Sequence, residues 1–244
     1  MTKKIGLIQT RGIGDIIMAL PIADHFIEQG CEIVWPIDQR FMPIFEPIKP
    51  SIQFFPVMEK EGGPNYLVNE PVTITREQGC DRTIILYSYV SNQQVYDPRL
   101  SEVLKLDEYK YAIAGVPLSK KWTLNYERQM EKEKALFDSL DIKEDYVCIH
   151  DIGSNMPAPA EIPVHLTAGL RIVRVEDLTD SPLDWRLTLE RAKRLIMVDS
   201  CLSNLVEQIN LKTEKYLITR APVQHPPVYK NGWQIIFPAM QNRA

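Results

Sequence analysis

Residues 4–57 alternate short apolar runs with helix-like stretches in the order strand, helix, strand, helix, strand, and that order leaves few folds open. Residues 4–10 (KIGLIQT) read as a buried strand, and Gly12-Ile13-Gly14 as a tight turn. From Asp15 to about Gln29 the apolar residues Ile16, Leu20, Ala23 and Ile27 fall at helical spacing, with Gly30 as the stop. Residues 32–37 (EIVWPI) and 52–57 read as further strands, with a short helix near 41–48 between them. This βαβαβ alternation implies a parallel sheet with helical crossovers.

Further along, residues 59–79 are rich in Gly, Pro and Asn and read as an exposed loop, and residues 82–89 return to a buried strand. The spacing predicts one helix over 101–114, ended by Gly115-Val116-Pro117, and a charged helix over 125–140. A second α/β series follows. Strands are expected at 145–150, 171–175, 194–198 and 215–219, and a last one near 233–237. Ser181-Pro182-Leu183-Asp184 is a helix start: a serine cap, proline at the first helical position and an acid in the first turn. Another helix opens at Asp199-Ser200 and runs to about 209. The expected architecture is α/β, with two Rossmann-like domains, residues 1–120 and 121–244, facing each other across a cleft.

The net charge of −4 supplies no overall basic field for nucleic acid or an anionic membrane, although charges distant in sequence can still cluster locally. No apolar run approaches the roughly 20 residues a bilayer span needs. Polar Gln9-Thr10-Arg11 cut short the only apolar run near the N-terminus, so no signal peptide is expected. The expected location is cytoplasmic, in a host cell if the chain is phage-encoded. Cys31, Cys80, Cys148 and Cys201 are dispersed and form no C-x-x-C pair, so they read as reduced packing thiols. His165 and His225 have no acidic or cysteine neighbours at ligand spacing, and no metal site is expected. Neither a P-loop nor a hydrolase elbow occurs.

Two strand-to-helix turns carry the chemistry. Arg11-Gly12-Ile13-Gly14-Asp15 lies at the carboxyl end of the first strand, where open parallel sheets bind ligands. It is not a dinucleotide fingerprint, because Met18 stands where the third glycine belongs. Asp15 falls near a helix N-terminus, which favours a carboxylate; it can serve as base toward an acceptor hydroxyl or merely cap the helix. In the later turn, Leu202, Leu205, Val206 and Ile209 take the core face, leaving Ser200, Ser203, Asn204 and Glu207 together on the other. That stripe reads either as a ligand surface, with amides and the Ser200 hydroxyl suited to phosphate, or as a capped, solvated face.

Together the two turns resemble GT-B glycosyltransferases, in particular the ADP-heptose:lipopolysaccharide heptosyltransferases. The run R-G-I-G-D-I-I-M-A-L-P is similar to that family's L-G-D-x-x-x-x-L-P segment, and L-I-M-V-D-S-C-L-S-N-L to its later D-[ST]-G-x-x-H-L segment. The resemblance implies inverting, metal-independent transfer from a nucleotide-sugar co-substrate, with no other cofactor. It makes Asp15 the catalytic base. Ser154, Asn155, Asp199, Ser200, Asn204 and Glu207 become donor-binding candidates, and Arg11, Gly12, Gly14 and His150 acceptor-binding candidates. Arg174 and Arg220 are further sources of positive charge. Cys201 replaces the family's glycine, Asn204 its histidine, and the loop after residue 150 lacks its lysine. These departures point away from heptose and lipopolysaccharide. Compact phage enzymes that glycosylate hydroxymethylated DNA bases are a second resemblance, so the acceptor is a saccharide or a modified DNA base. An NAD(P)-dependent oxidoreductase and a non-catalytic nucleotide-sugar-binding protein are the competing readings.

Overall fold

The computed structural model describes residues 2–58, 63, 65–87, 89–90, 93–94, 99–154, 156, 158–219 and 226–237. The chain forms two compact units, Met1–Arg128 and Gln129–Ala244. The expected boundary at 120/121 falls inside a 3-10 helix, Leu118–Thr123. That helix is held in the first unit by Lys121, whose ammonium is bonded to Asp107, both side chains being fully buried.

The first unit runs β1 (Lys4–Ile8), α1 (Ile13–Glu28), β2 (Glu32–Asp38), α2 (Met42–Phe45), β3 (Ile52–Val57), α3 (Glu70–Glu77), β4 (Arg82–Ile85), the short hairpin β5 (Tyr89–Val90) and β6 (Gln93–Gln94), α4 (Arg99–Val103) and α5 (Leu106–Ala114). Its main sheet has the order β3-β2-β1-β4, with every pairing parallel. The inner strands β1 and β2 are buried on both sides, which is why KIGLI and EIVWPID show no alternation. Two expectations change here. Part of the expected loop at 59–79 is a π-helical turn, Asn65–Asn69, running into α3, with Tyr66, Pro71 and Thr75 buried. It serves as the crossover from β3 to β4, and Gly6 makes room for it: a Cβ there would lie 2.5 Å from Thr75 Cγ2. The helix expected over 101–114 is two, because Glu108 reaches back to the Lys105 amide at 2.8 Å and starts α5 afresh.

The second unit runs α6 (Met130–Ser139), β7 (Tyr146–His150), β8 (Arg171–Arg174), α7 (Arg186–Arg191), β9 (Arg194–Val198), α8 (Cys201–Gln208), β10 (Glu214–Ile218) and β11 (Trp233–Ile236). The sheet order is β11-β10-β9-β7-β8, again all parallel. The helix expected from 125 begins only at Met130, since the Glu127 amide is tied to the Ile48 carbonyl at 2.9 Å. The helix start at Ser181 has the expected chemistry, with the serine accepting from the Leu183 amide and Pro182 opening a 3-10 turn that leads into α7. Val147, Ile149, Ile196, Val198 and Ile218 form one core, onto which Leu166 and the half-buried Met156, Ala160, Ile162 and Leu170 fold.

Candidate functional site

Each sheet reverses its strand order beside its own first strand. In the first unit the chain builds outward through β2 and β3, then returns to place β4 on the other side of β1. In the second it adds β8, then returns to place β9 across β7. Such a reversal leaves a crevice at the carboxyl ends of the two strands, where ligands of open α/β sheets bind.

At the first reversal, Tyr87 ties the two strand ends together. Its hydroxyl accepts from the Thr10 amide at 2.8 Å and the Arg11 amide at 3.1 Å, and burial pushes its pKa up to about 12. Gly12 caps α1 at φ 87, and no side chain caps that helix. Asp15 sits in the first turn without capping it; instead its Oδ1 lies 3.3 Å from Lys110 Nζ. The Asp15 side chain is 31% exposed and that of Lys110 only 2%. Lys110 also donates to Gln9 Oε1 at 2.6 Å and the Leu86 carbonyl at 3.1 Å. Burial alone would drive its ammonium down, but the Asp15 charge and the Tyr109 and Tyr87 rings outweigh that and hold it above the ordinary lysine value. The sequence reading missed Lys110. Its signal is a lysine between Tyr109 and Tyr111 in a helix that buries both tyrosines. Arg11 is exposed beside the turn, and Gly14 lies in it.

At the second reversal, His150 ends β7 with Nδ1 2.9 Å from Ser200 Oγ. The imidazole thus sits beside the cap of α8, within the second unit. Burial pushes His150 below its ordinary value, with Asp177 opposing. Ser200 caps α8, and its own amide donates to Ser203 Oγ at 2.8 Å. Gly153 packs against the Asp199 backbone, a Cβ there falling 3.4 Å from the Asp199 carbonyl oxygen; Ser154 beside it is exposed. Asn155, Arg220, His225 and Tyr96 lie outside the described residues.

The polar stripe of α8 is not solvated. Ser203, Asn204 and Glu207 are buried, and Ser203 and Glu207 face the segment before β11. Tyr229 donates to Asp199 Oδ1 at 2.8 Å, and its hydroxyl lies 2.9 Å from Ser203 Oγ. Glu207 accepts from the Lys230 and Asn231 amides at 3.0 and 3.3 Å and from Trp233 Nε1 at 2.8 Å. Its carboxylate thus holds the chain's own backbone, a role the sequence reading did not give it. Asn204 Nδ2 donates to the Ser200 carbonyl at 2.8 Å, while its buried Oδ1 has no hydrogen-bond partner among the described residues.

Arg174 pairs with Asp151, and His165 is exposed. Burial pushes the Cys201 thiol up to about 11, so it is no nucleophile near neutral pH. Asp38, at the end of β2 where a dinucleotide fold keeps its ribose-binding acid, is committed to Arg40 and Tyr66. Burial would raise its carboxyl, but Arg40 and Tyr66 hold it at about 2. Among the described residues no three His, Cys, Asp or Glu side chains converge as metal ligands, and no helix is long and apolar enough to cross a membrane.

No protein-family model matches the sequence, and a comparison with curated proteins finds no match. Solved structures do match. A glycosyl transferase family 9 protein from Veillonella parvula superposes with a TM-score of 0.63 at 13% identity, over 96% of this chain and 86% of its own. The fold is GT-B. ADP-heptose lipopolysaccharide heptosyltransferase II of E. coli gives 0.61 at 11% identity, covering 96% and 90%. TibC of enterotoxigenic E. coli, an iron-containing dodecameric glycosyltransferase, gives 0.61 at 16% identity; the match spans 98% of this chain and 63% of TibC. These GT-B structures belong to the same group that the two sequence segments resemble.

Proposed function

We propose that the protein is a glycosyltransferase that moves a sugar from a nucleotide-sugar donor to an acceptor hydroxyl with inversion and without a metal. The observation that carries this reading is that each sheet has a candidate group at its own strand reversal: a partly exposed carboxylate, Asp15, in the first unit and a serine-capped helix start, Ser200, in the second. In this reading Asp15 takes the proton of the acceptor hydroxyl as its oxygen attacks the anomeric carbon from the face opposite the leaving nucleoside diphosphate. General-base assistance of this kind contributes about 10²–10⁴-fold. Ser200, His150, Ser154 and the first amides of α8 supply hydrogen bonds to the departing diphosphate, and Arg11 lies beside the acceptor turn. Matched solved structures include the heptosyltransferase WaaC bound to ADP-2-deoxy-2-fluoro heptose, which supports a nucleotide-sugar donor here.

The oxidoreductase reading is weaker on two counts. Met18 is buried in α1 where the fingerprint needs glycine, and Asp38 is already bonded to Arg40 and Tyr66.

The test is thermal-shift screening against UDP-, GDP-, ADP- and CMP-sugars beside NAD and NADP, followed by mass spectrometry of hydroxymethylated DNA and oligosaccharide acceptors in parallel. Stabilisation by one nucleotide-sugar and a one-glycosyl mass gain on one acceptor is the expected result. Stabilisation by NADP alone would overturn it, and donor binding without transfer to either acceptor would favour a binding protein.

A further inference from the structure

We infer that Lys110 is the positioning residue of the Asp15 site, a buried cation that fixes one carboxylate oxygen so that the side chain meets an acceptor in a single orientation. The inference rests on the reading of Asp15 as the acceptor-side base. The geometry is specific. Lys110 comes from α5, far from the turn in sequence, yet its ammonium reaches three oxygens that all belong to the strand reversal. Asp15 Oδ1 lies at 3.3 Å, Gln9 Oε1 at 2.6 Å and the Leu86 carbonyl at 3.1 Å. Three acceptors match the three hydrogens of an ammonium. Gln9 in turn donates through Nε2 to the Arg11 carbonyl at 2.7 Å, so the same cation braces the turn before Gly12. Leu86 and Tyr87 follow β4, and Gln9 and Asp15 follow β1; Lys110 therefore ties both sides of the crevice to the carboxylate.

A lysine is an expensive choice for this position. Its side chain is 2% exposed, and a buried ammonium without a counter-charge is strongly unfavourable. Packing alone would be served by methionine or leucine. The groups facing the Lys110 ammonium include Tyr87 from the segment after β4 and Tyr109 on α5. Asp15 is the carboxylate that pairs with the ammonium and the largest influence holding its charge. The second carboxylate oxygen, Oδ2, lies over Gly12, which confines the group from the other side.

Two measurements test this. The first needs no substrate: the side-chain nitrogen of Lys110 is followed by NMR titration in the wild-type chain and in Asp15→Asn. The wild-type ammonium should stay charged past the ordinary lysine range, and the variant should titrate lower, because the largest influence opposing burial is gone. Identical titrations would overturn the inference whether or not the protein transfers sugar. The second is steady-state kinetics of Lys110→Met and Lys110→Arg. Misplacement of the base should cut kcat about 10–100-fold in the methionine variant with donor KM nearly unchanged, and arginine should recover part of the loss. Unchanged kcat in Lys110→Met would also overturn it. Coupled titration in a wild-type protein that transfers nothing would instead remove the transferase reading and reduce the pair to a structural charge cluster.

Discussion

Asp15 Oδ2 stands 2.5 Å from the point a Cβ on Gly12 would occupy. The turn and the carboxylate therefore fit together only because residue 12 has no side chain. Its backbone, at φ 87, also lies where L residues are strained. Gly12→Ala should lose about 1–3 kcal/mol from the strained backbone and cut transfer about 10–100-fold by displacing the carboxylate. Chemical denaturation and kcat on the same preparation check both parts. Full turnover in a destabilised variant would show that the Asp15 orientation is not used.

Asp15→Asn, the obvious test of the base, also has a stability consequence. In the wild-type protein Asp15 holds Lys110 above its ordinary 10.5, so the stability gained from that shift is present below 10.5 and lost as pH rises through the higher folded value. Without the carboxylate the largest influence opposing burial is gone, and the folded value falls from its wild-type position. The stability that the raised value gives the wild type below 10.5 is then reduced in the variant, so the stability difference between the two should narrow as pH rises through the wild type's folded value. Parallel urea-unfolding curves across that rise would contradict the pairing.

Glu207 anchors the segment that carries Tyr229. Three donors converge on its buried carboxylate, so Glu207→Gln turns an N–H toward N–H groups. It should cost about 1–3 kcal/mol, the range for buried polar groups left without a partner. Tyr229→Phe removes only the hydroxyl that links Asp199 and Ser203, and should cost about 0.5–1.5 kcal/mol. Its larger effect is expected on donor KM, because Asp199 then loses the group that orients it. Equal losses of stability in the two variants would show that the segment is not organised around Glu207.

The residues that lie on continuous strands were legible from the sequence because a parallel sheet buried on both faces writes itself as uninterrupted apolar runs, as in KIGLI and RLIMV. The turns at Gly12 and Ser200 followed from the strand ends. What stayed hidden depends on contacts between distant segments. Lys110 looks like any helix lysine until α5 is packed against β4 and the Gly12 turn. Ser203 and Glu207 look like part of a solvated stripe until the segment before β11 folds over them. The α3 crossover was obscured by its Gly- and Pro-rich approach, although Tyr66 and Thr75 are core residues. Element order is local information, whereas a charge network closes only when separate elements meet.

His150 offers a pH test of the second reversal. Its imidazole lies 2.9 Å from the capping hydroxyl of Ser200, and burial holds its folded pKa below the ordinary 6.5. A base depressed in this way favours the folded state above 6.5. Between 6.5 and the lower folded value the unfolded chain binds a proton that the folded chain refuses, so stability drains away as pH falls through that window. His150→Gln keeps a hydrogen-bonding group near Ser200 but cannot titrate. The stability difference between wild type and variant should be flat above 6.5 and should turn against the wild type on acidification below it. Asp177 supplies the opposing charge, so Asp177→Asn should lower the folded value further and steepen the acid-side loss. Urea unfolding of the full chain, followed by tryptophan fluorescence across the acid range, measures all three proteins. Curves that stay parallel below 6.5 would mean that His150 is solvated in the folded protein and does not brace the start of α8.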